Sequence, residues 1–256
     1  MKKTLKSILV TILMSSTAMA QVTMRVELKD GKHVDYPVST VESVSFITSD
    51  SGDNDNAPAG AEAVDLGLPS GTKWANMNIG ASTPEDYGEY FAWGEIMPKL
   101  SYSWSTYWWC GDNMGSIMTK YNDYEYDSTF DGKTTLDPED DAAYVNWGGS
   151  WRMPTYNQKE ELRIYCIWSW TTQNGVNGYK VASMKNGNSI FLPAAGNRNG
   201  NSLYSAGSKG VYWTSTLTFT NCARYLGFDS NKVEDGRSTA YSRSCGLPVR
   251  AVCPQR

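Results

Sequence analysis

The sequence predicts an α+β protein in which two helices come before a run of short antiparallel strands. Two helix starts with capping signals lie between residues 137 and 166, and apolar runs broken by tight turns fill 179–252. The two patterns follow one another instead of alternating, which points to segregated helices and strands and away from βαβ units. A length of 256 residues supports one domain with a substantial core and a smaller unit beside it.

Composition already excludes several function classes. The only histidine is His33, so a multi-histidine zinc site, an HExxH helix, or a Ser-His-Asp triad elsewhere in the chain is ruled out. With 23 Lys and Arg against 27 Asp and Glu, there is no basic excess to meet phosphates, so no nucleic-acid partner is expected.

Residues 1–20 read as a secretory signal peptide. Lys2, Lys3 and Lys6 form the basic start, 8–14 the apolar stretch, and Ala18-Met19-Ala20 the cleavage signal before Gln21. That stretch falls short of the roughly 18 apolar residues a membrane span needs. No Cys follows the cleavage site, so lipid anchoring is not indicated. An exported chain is expected, extracellular, at the cell surface or periplasmic, with no membrane span. Loss of the three lysines takes its formal charge from −4 to −7.

Residues 21–47 read as a β-hairpin arm. Met24, Val26 and Leu28 alternate with Arg25, Glu27 and Lys29, as on a half-buried strand. Asp30-Gly31 suits a two-residue turn with positive φ at both positions, and Val34 and Tyr36 mark the return strand. Val41, Val44 and Phe46 add apolar surface. So short a unit cannot bury a core alone, so it serves as an edge of the main domain or as an attachment arm. His33 is expected on its surface. Residues 48–60 form a polar linker. Its Asp53, Asp55 and Asn56 hint at calcium, but Pro58 and Val64 stand where an EF-hand loop needs Gly and Glu.

The main domain is placed at 61–256 and holds all ten tryptophans. Early strands are expected at 64–66, 73–75 and 87–93. Asp137 caps the first helix in this reading, with Pro138 at its first position and Glu139, Asp140 and Asp141 against the positive helix end. Thr155 caps the second, Gln158 completes a capping box, and Leu162, Tyr165 and Cys166 form its buried stripe. Strands at 179–184 and 189–192 flank a tight turn, and 211–216, 223–228 and 247–252 complete the β part. The five cysteines are an odd set. Either Cys166, Cys222, Cys245 and Cys253 staple the C-terminal half and leave Cys110 over, or all five are reduced, buried apolar side chains.

Six stretches occur as recognisable words: VDLGLPSGTKWAN (64–76), YGEYFAWGE (87–95), DDAAYVNWGGSWRMPT (140–155), SIFLPAAG (189–196), YWTST (212–216) and GLPVRAV (246–252). Together they resemble the Fibrobacter succinogenes major paralogous domain, collinearly across 62–253. The lead hairpin resembles a short segment common ahead of such domains. The resemblance implies an exported protein with a C-type-lectin-like domain, two helices, short antiparallel strands and displayed loops used for binding. The Glu-Pro-Asn, Gln-Pro-Asp and Trp-Asn-Asp tripeptides with which C-type lectins chelate calcium and sugar do not occur here.

No catalytic residue is expected. Glu89 and Glu95 lie six apart with nothing opposing them, so they do not form a glycosidase pair. Formylglycine-generating enzymes share the lectin-like scaffold and use a reactive cysteine pair, for which Cys245 and Cys253 are the nearest match; burial or a disulfide is the simpler account. Asp137, Glu139, Asp140 and Asp141 offer hard oxygens to calcium, but helix capping already explains them. No metal site is assigned, and calcium stays an option.

Two regions are candidate ligand-binding surfaces. Trp104, Tyr107, Trp108 and Trp109 sit in an irregular stretch and form either a platform for sugar faces or a loop folded over the core. Trp147, Trp151, Trp168, Trp170 and Trp213 are assigned to the core. Residues 196–245 are rich in Gly, Ser, Asn and Tyr, the composition of an adaptable contact surface. Arg198, Asn199, Asn201, Tyr204, Arg224, Tyr241 and Arg243 are its expected contact residues. The functional expectation is a non-enzymatic binding protein for a glycan or a surface protein. The alternatives are a subunit of a surface assembly, joined by the hairpin arm adding a strand to a neighbour, or a receptor-binding protein diversified by a retroelement.

Overall fold

The protein is described here from a computed structural model, at residues 23–27, 33–37, 56–234 and 240–254. It divides into two compact units, Met1–Ser49 and Asp50–Arg256. In the first, β1 (Thr23–Glu27) and β2 (His33–Pro37) pair antiparallel, from Thr23 opposite Pro37 to Glu27 opposite His33. The expected signal peptide, the expected turn at Asp30-Gly31, the apolar positions 41, 44 and 46, and most of the expected linker lie outside the described residues.

Among its described residues the second unit combines two α-helices with small, mostly antiparallel sheets, compatible with the α+β expectation. Strands β3 (Ala63–Asp65), β4 (Lys73–Ala75) and β16 (Val252–Cys253) form one sheet with β4 in the middle, and β5 (Tyr90–Phe91) pairs with β15 (Leu247–Pro248). Strands β6 (Cys166–Gln173), β7 (Val176–Ser183) and β8 (Ser189–Pro193) form a meander. Strands β9 (Asn197–Asn199) and β10 (Ser202–Tyr204) form a small hairpin. The largest pairing joins β11 (Lys209–Phe219) to β12 (Cys222–Asp229), whose far edge carries β13 (Lys232–Val233) and β14 (Tyr241–Ser242).

Strand periodicity divides the core in two. Along β11, Val211 and Trp213 enter one apolar cluster and Tyr212 the other; along β12, Ala223 enters the first and Leu226 and Phe228 the second. The β11–β12 sheet is therefore buried on both faces, as successive side chains on opposite sides require. Trp93 and Trp213 cross-brace the first cluster. The Trp93 indole donates to the Thr214 carbonyl (2.8 Å) and the Trp213 indole to the Phe91 carbonyl (2.7 Å).

Arg250, fully buried, ties three segments. It donates from Nε to Asn78 Oδ1 (2.8 Å) and from its two Nη atoms to the Ala75 (3.0 Å) and Phe191 (2.9 Å) carbonyls. Burial pulls its pKa down to about 10, so it stays charged at neutral pH.

Helix α2 (Tyr156–Tyr165) begins with the expected capping box, Thr155 and Gln158 exchanging bonds. Its inner face differs from expectation. Leu162 and Lys159 are buried, whereas Tyr165 ends the helix exposed and Cys166 opens β6. The first helix also begins later than expected. Pro138–Asp140 is a 3-10 turn, and α1 (Ala142–Trp147) is capped by Asp141. The Asp141 carboxylate accepts from the N–H groups of Ala143, Tyr144 and Met153, joining the helix start to the loop at 148–154. Burial pushes its pKa up to about 6 against those donors.

The disulfide alternative for the cysteines is also corrected. None of the five cysteines forms a disulfide. Cys166 belongs to one core cluster while Cys245 and Cys253 belong to the other, so burial as small apolar groups accounts for these three. The acidic run does not gather into a cation site. Asp140 meets Lys120 (2.5 Å) and the Tyr121 hydroxyl, Asp137 meets Lys133 (2.6 Å) and Lys120 (3.0 Å), and Asp141 is used as the cap. Lys133 foremost, with Lys120, holds the Asp137 carboxyl below its ordinary range. Among the described residues no group of three or more His, Cys, Asp or Glu is placed to hold a metal ion. None of the described helices is long and apolar enough to cross a membrane.

Candidate functional site

The aromatic stretch and the Gly/Ser/Asn-rich stretch, far apart in sequence, meet at one surface. Tyr102 and Gly200 exchange both backbone bonds, N–H to carbonyl at 2.9 and 2.8 Å. On its other side the β9–β10 hairpin is held by Arg198 and Gly246, which exchange bonds at 2.7 and 2.9 Å. Gly246 is required for space, because a Cβ there would lie 2.6 Å from the Tyr102 ring.

Beneath this surface lies a base of buried polar side chains. Tyr102 donates to the Tyr90 carbonyl (2.5 Å), Tyr90 to the Ala195 carbonyl (2.6 Å) and Tyr107 to the Trp93 carbonyl (2.6 Å). Arg243 is fully buried with no carboxylate in its hydrogen-bond set. Its Nε donates to Tyr107 Oη (2.8 Å), one Nη to the Tyr121 (3.0 Å) and Thr220 (2.6 Å) carbonyls, and the other to the Lys120 carbonyl (2.9 Å). The rings of Trp93 and Tyr107 lie 4.9 and 5.3 Å from the guanidinium, so π faces supply the remaining compensation.

A buried ion pair anchors the strap that carries Trp108. Glu95 meets Lys99 at 2.8 Å, and its Oε1 accepts the Trp108 backbone N–H at 2.8 Å. The Lys99 ammonium also donates to the Thr106 carbonyl (2.8 Å). Burial raises the Glu95 pKa and lowers that of Lys99, each opposed by the other's charge. Glu89 is exposed while Glu95 is buried, so the two carboxylates do not face each other across a cleft.

The expected contact residues divide accordingly. Trp108 (48% exposed) and Tyr204 (51%) present their rings to solvent, and Asn199 and Asn201 are exposed at the hairpin. Arg198 is half-buried, its guanidinium 5.1 Å from the Tyr90 ring centre. Trp104 is half-buried, packed edge-on against Tyr107 and covered by Gly115, where φ is +84° and a Cβ would lie 2.4 Å from the indole. Trp109 donates to the Gly94 carbonyl (2.8 Å) and packs on Tyr121.

Tyr107 and Arg243 are buried in the base, which makes them supports of the surface and not contact residues. Tyr241 is half-buried against Trp213 and Tyr225 and bonds Asn197. Arg224 stands apart, over the Tyr156 ring (5.0 Å) at the start of α2. Sequence reasoning passed over Leu100 (67% exposed) and Leu203 (40%), which flank the bridge, because lone leucines carry no signal of exposure.

A second concavity, about 410 Å³, lies between α1, the 149–155 loop and β11, with Leu136, Trp151, Arg152 and Ser215 among its walls. The Asp141 carboxylate at its edge is already used by the cap. No family model matches the chain, and neither a curated protein nor a solved structure matches it.

Proposed function

We propose that this chain is an exported, non-enzymatic recognition protein. In this reading its main unit is a C-type-lectin-like domain of the Fibrobacter succinogenes major paralogous kind. The observation that carries the reading is the pair of backbone hydrogen bonds between Tyr102 and Gly200, which joins the Trp108 strap and the β9–β10 hairpin into one surface. Exposed rings and amides stand on a base whose side chains are locked by hydrogen bonds. That arrangement favours binding, since little order must be gained when a ligand docks.

A surface protein is the favoured ligand. Leu100 and Leu203 flank the bridge with exposed aliphatic area, which suits an apolar protein patch better than sugar hydroxyls. The glycan reading rests on Trp108, whose exposed indole can stack on a sugar face.

The test has two arms on the chain 21–256. A glycan array is run with calcium and with chelator, and photo-crosslinking groups are placed at positions 108 and 204 and exposed to surface extracts. Specific protein crosslinks from both positions, absent from a control at exposed Lys180, support the favoured reading. Array signal lost in Trp108→Ala supports the glycan reading. A blank array with no position-specific crosslink sinks the recognition function.

A further inference from the structure

The β6–β7–β8 sheet ends on β6, and its hydrogen-bond phase shows which groups face outward. Met184 N–H donates to the Tyr165 carbonyl (3.3 Å), and on the far side of β7 Ser183 N–H donates to the Asn188 carbonyl (2.8 Å). In an antiparallel ladder this directs the peptide groups of odd-numbered β6 residues at β7. Those of Cys166, Trp168, Trp170 and Thr172 point away, and among the described residues these backbone groups meet no partner.

Exposed strand edges are ordinarily protected by charge, proline, a bulge or a covering loop. The β6 sequence, Cys-Ile-Trp-Ser-Trp-Thr-Thr-Gln, has no charge, proline or glycine, and pairs with β7 without a register shift over all eight residues. Ile164, Tyr165, Ile167 and Met184, at its start and beside it, are exposed apolar side chains.

We propose that β6 is a self-association edge, on which a second copy of this chain lays its own β6 antiparallel about a two-fold axis at Ser169. This goes beyond the recognition surface, which uses other residues. A two-fold axis normal to the sheet brings exposed face against exposed face, so odd residues meet odd ones and even meet even. Centring it on Ser169 sets that residue opposite itself, Ile167 opposite the partner's Thr171, and Trp168 opposite the partner's Trp170. Cys166, Trp168, Trp170 and Thr172 then each exchange two backbone bonds with their opposite number. The absence of charge decides for this occupant. β6 places no like charges against itself and offers an ionic partner nothing, whereas β1 and β2 carry Arg25, Glu27 and Asp35.

The experiment uses the exported chain, residues 21–256. In this register the Ser169 pair is of the non-hydrogen-bonded kind, with Cα atoms about 4.5 Å apart, within reach of a disulfide. Ser169→Cys treated with oxidised glutathione should give a covalent dimer: two thiols lose two protons and two electrons, and one glutathione disulfide becomes two thiols. The rate should exceed that of Thr171→Cys, which faces Ile167, by about tenfold or more.

Ser169→Lys, at an exposed position, should leave circular dichroism unchanged and raise the dimer dissociation constant about tenfold or more in sedimentation equilibrium. A wild-type chain that stays monomeric at its highest soluble concentration overturns the proposal. So does a dimer indifferent to Ser169→Lys, or one in which Ser169→Cys links no faster than Thr171→Cys. If that dimer also vanishes when 21–47 is deleted, the pairing strand is the hairpin arm.

Discussion

Arg243→Lys tests whether the buried base holds the candidate surface. The guanidinium donates four hydrogen bonds, to one hydroxyl and three carbonyls contributed by four residues. Lysine keeps the charge, but its single ammonium lacks the planar fork and can satisfy about two of those acceptors. Hydrogen bonds to charged groups contribute about 1.5–3 kcal/mol each, so the substitution should cost about 3–6 kcal/mol. That is a large share of the roughly 5–15 kcal/mol typical of a domain. Urea unfolding followed by tryptophan fluorescence should show a lower midpoint at unchanged slope. Tyr107→Phe should cost about 1–3 kcal/mol by leaving Nε unpaired, and the double mutant should show coupling of about 1 kcal/mol or more. A loss below about 1 kcal/mol in Arg243→Lys, with no coupling to Tyr107, would refute the view that these bonds carry the base.

The other predictions concern single groups. Asp141 should titrate near 6 in carbon-detected NMR, and the native state should hold its proton above the ordinary 3.8. Its contribution to stability is therefore fullest below that ordinary value and declines by about 3 kcal/mol as pH rises from about 4 through about 6. A midpoint below 4 would mean that its N–H donors outweigh burial. Glu95→Gln leaves the Lys99 ammonium without its carboxylate and should destabilise by about 2–3 kcal/mol, less than a fully buried pair because Lys99 keeps some water. Adding Lys99→Met should restore most of that loss, and failure to do so would show that the Lys99 bond to the Thr106 carbonyl matters more than the unpaired charge. The Cys166 thiol, pushed by burial to about 11, should react with a disulfide reagent at pH 8 only after unfolding; prompt labelling of Cys166 in the native protein would contradict its burial.

Local signals were legible wherever one residue type has one structural use. Thr155 with Gln158 marked the start of α2, and the turn at 185–188 joined β7 to β8 as read. The first helix was misplaced because an aspartate before Pro138 suits a 3-10 turn as well as a helix start. The true cap, Asp141, lies deeper in the acidic run. Strand β6 escaped notice because Cys166 follows the helix with no breaker, and its apolar residues continue the helical stripe. Tyr165 was assigned inward by that same periodicity, but the chain turns into a strand at the next residue and leaves its ring outside. The candidate surface was legible as two compositional patches. Their junction was not, because a backbone pairing between Tyr102 and Gly200 leaves no trace in side-chain identity. Arg243 was read as a contact residue because arginine is ordinarily exposed.

Many of the large buried donors share one kind of partner, the backbone carbonyl. Arg243, Arg250, Trp93, Trp109, Trp213, Tyr90, Tyr102, Tyr107 and Tyr212 all donate to backbone carbonyls. A carbonyl is present whatever side chain its residue carries. The bonds that hold the loops therefore depend on the path of the main chain and on a few large donors beneath it. Side chains at Asn199, Asn201 and Ser202 are exposed above that base. They can be exchanged without removing any of those acceptors. A fold held in this way separates the residues that fix the surface from those exposed on it. Such a division suits a scaffold whose contact surface changes while its core stays the same.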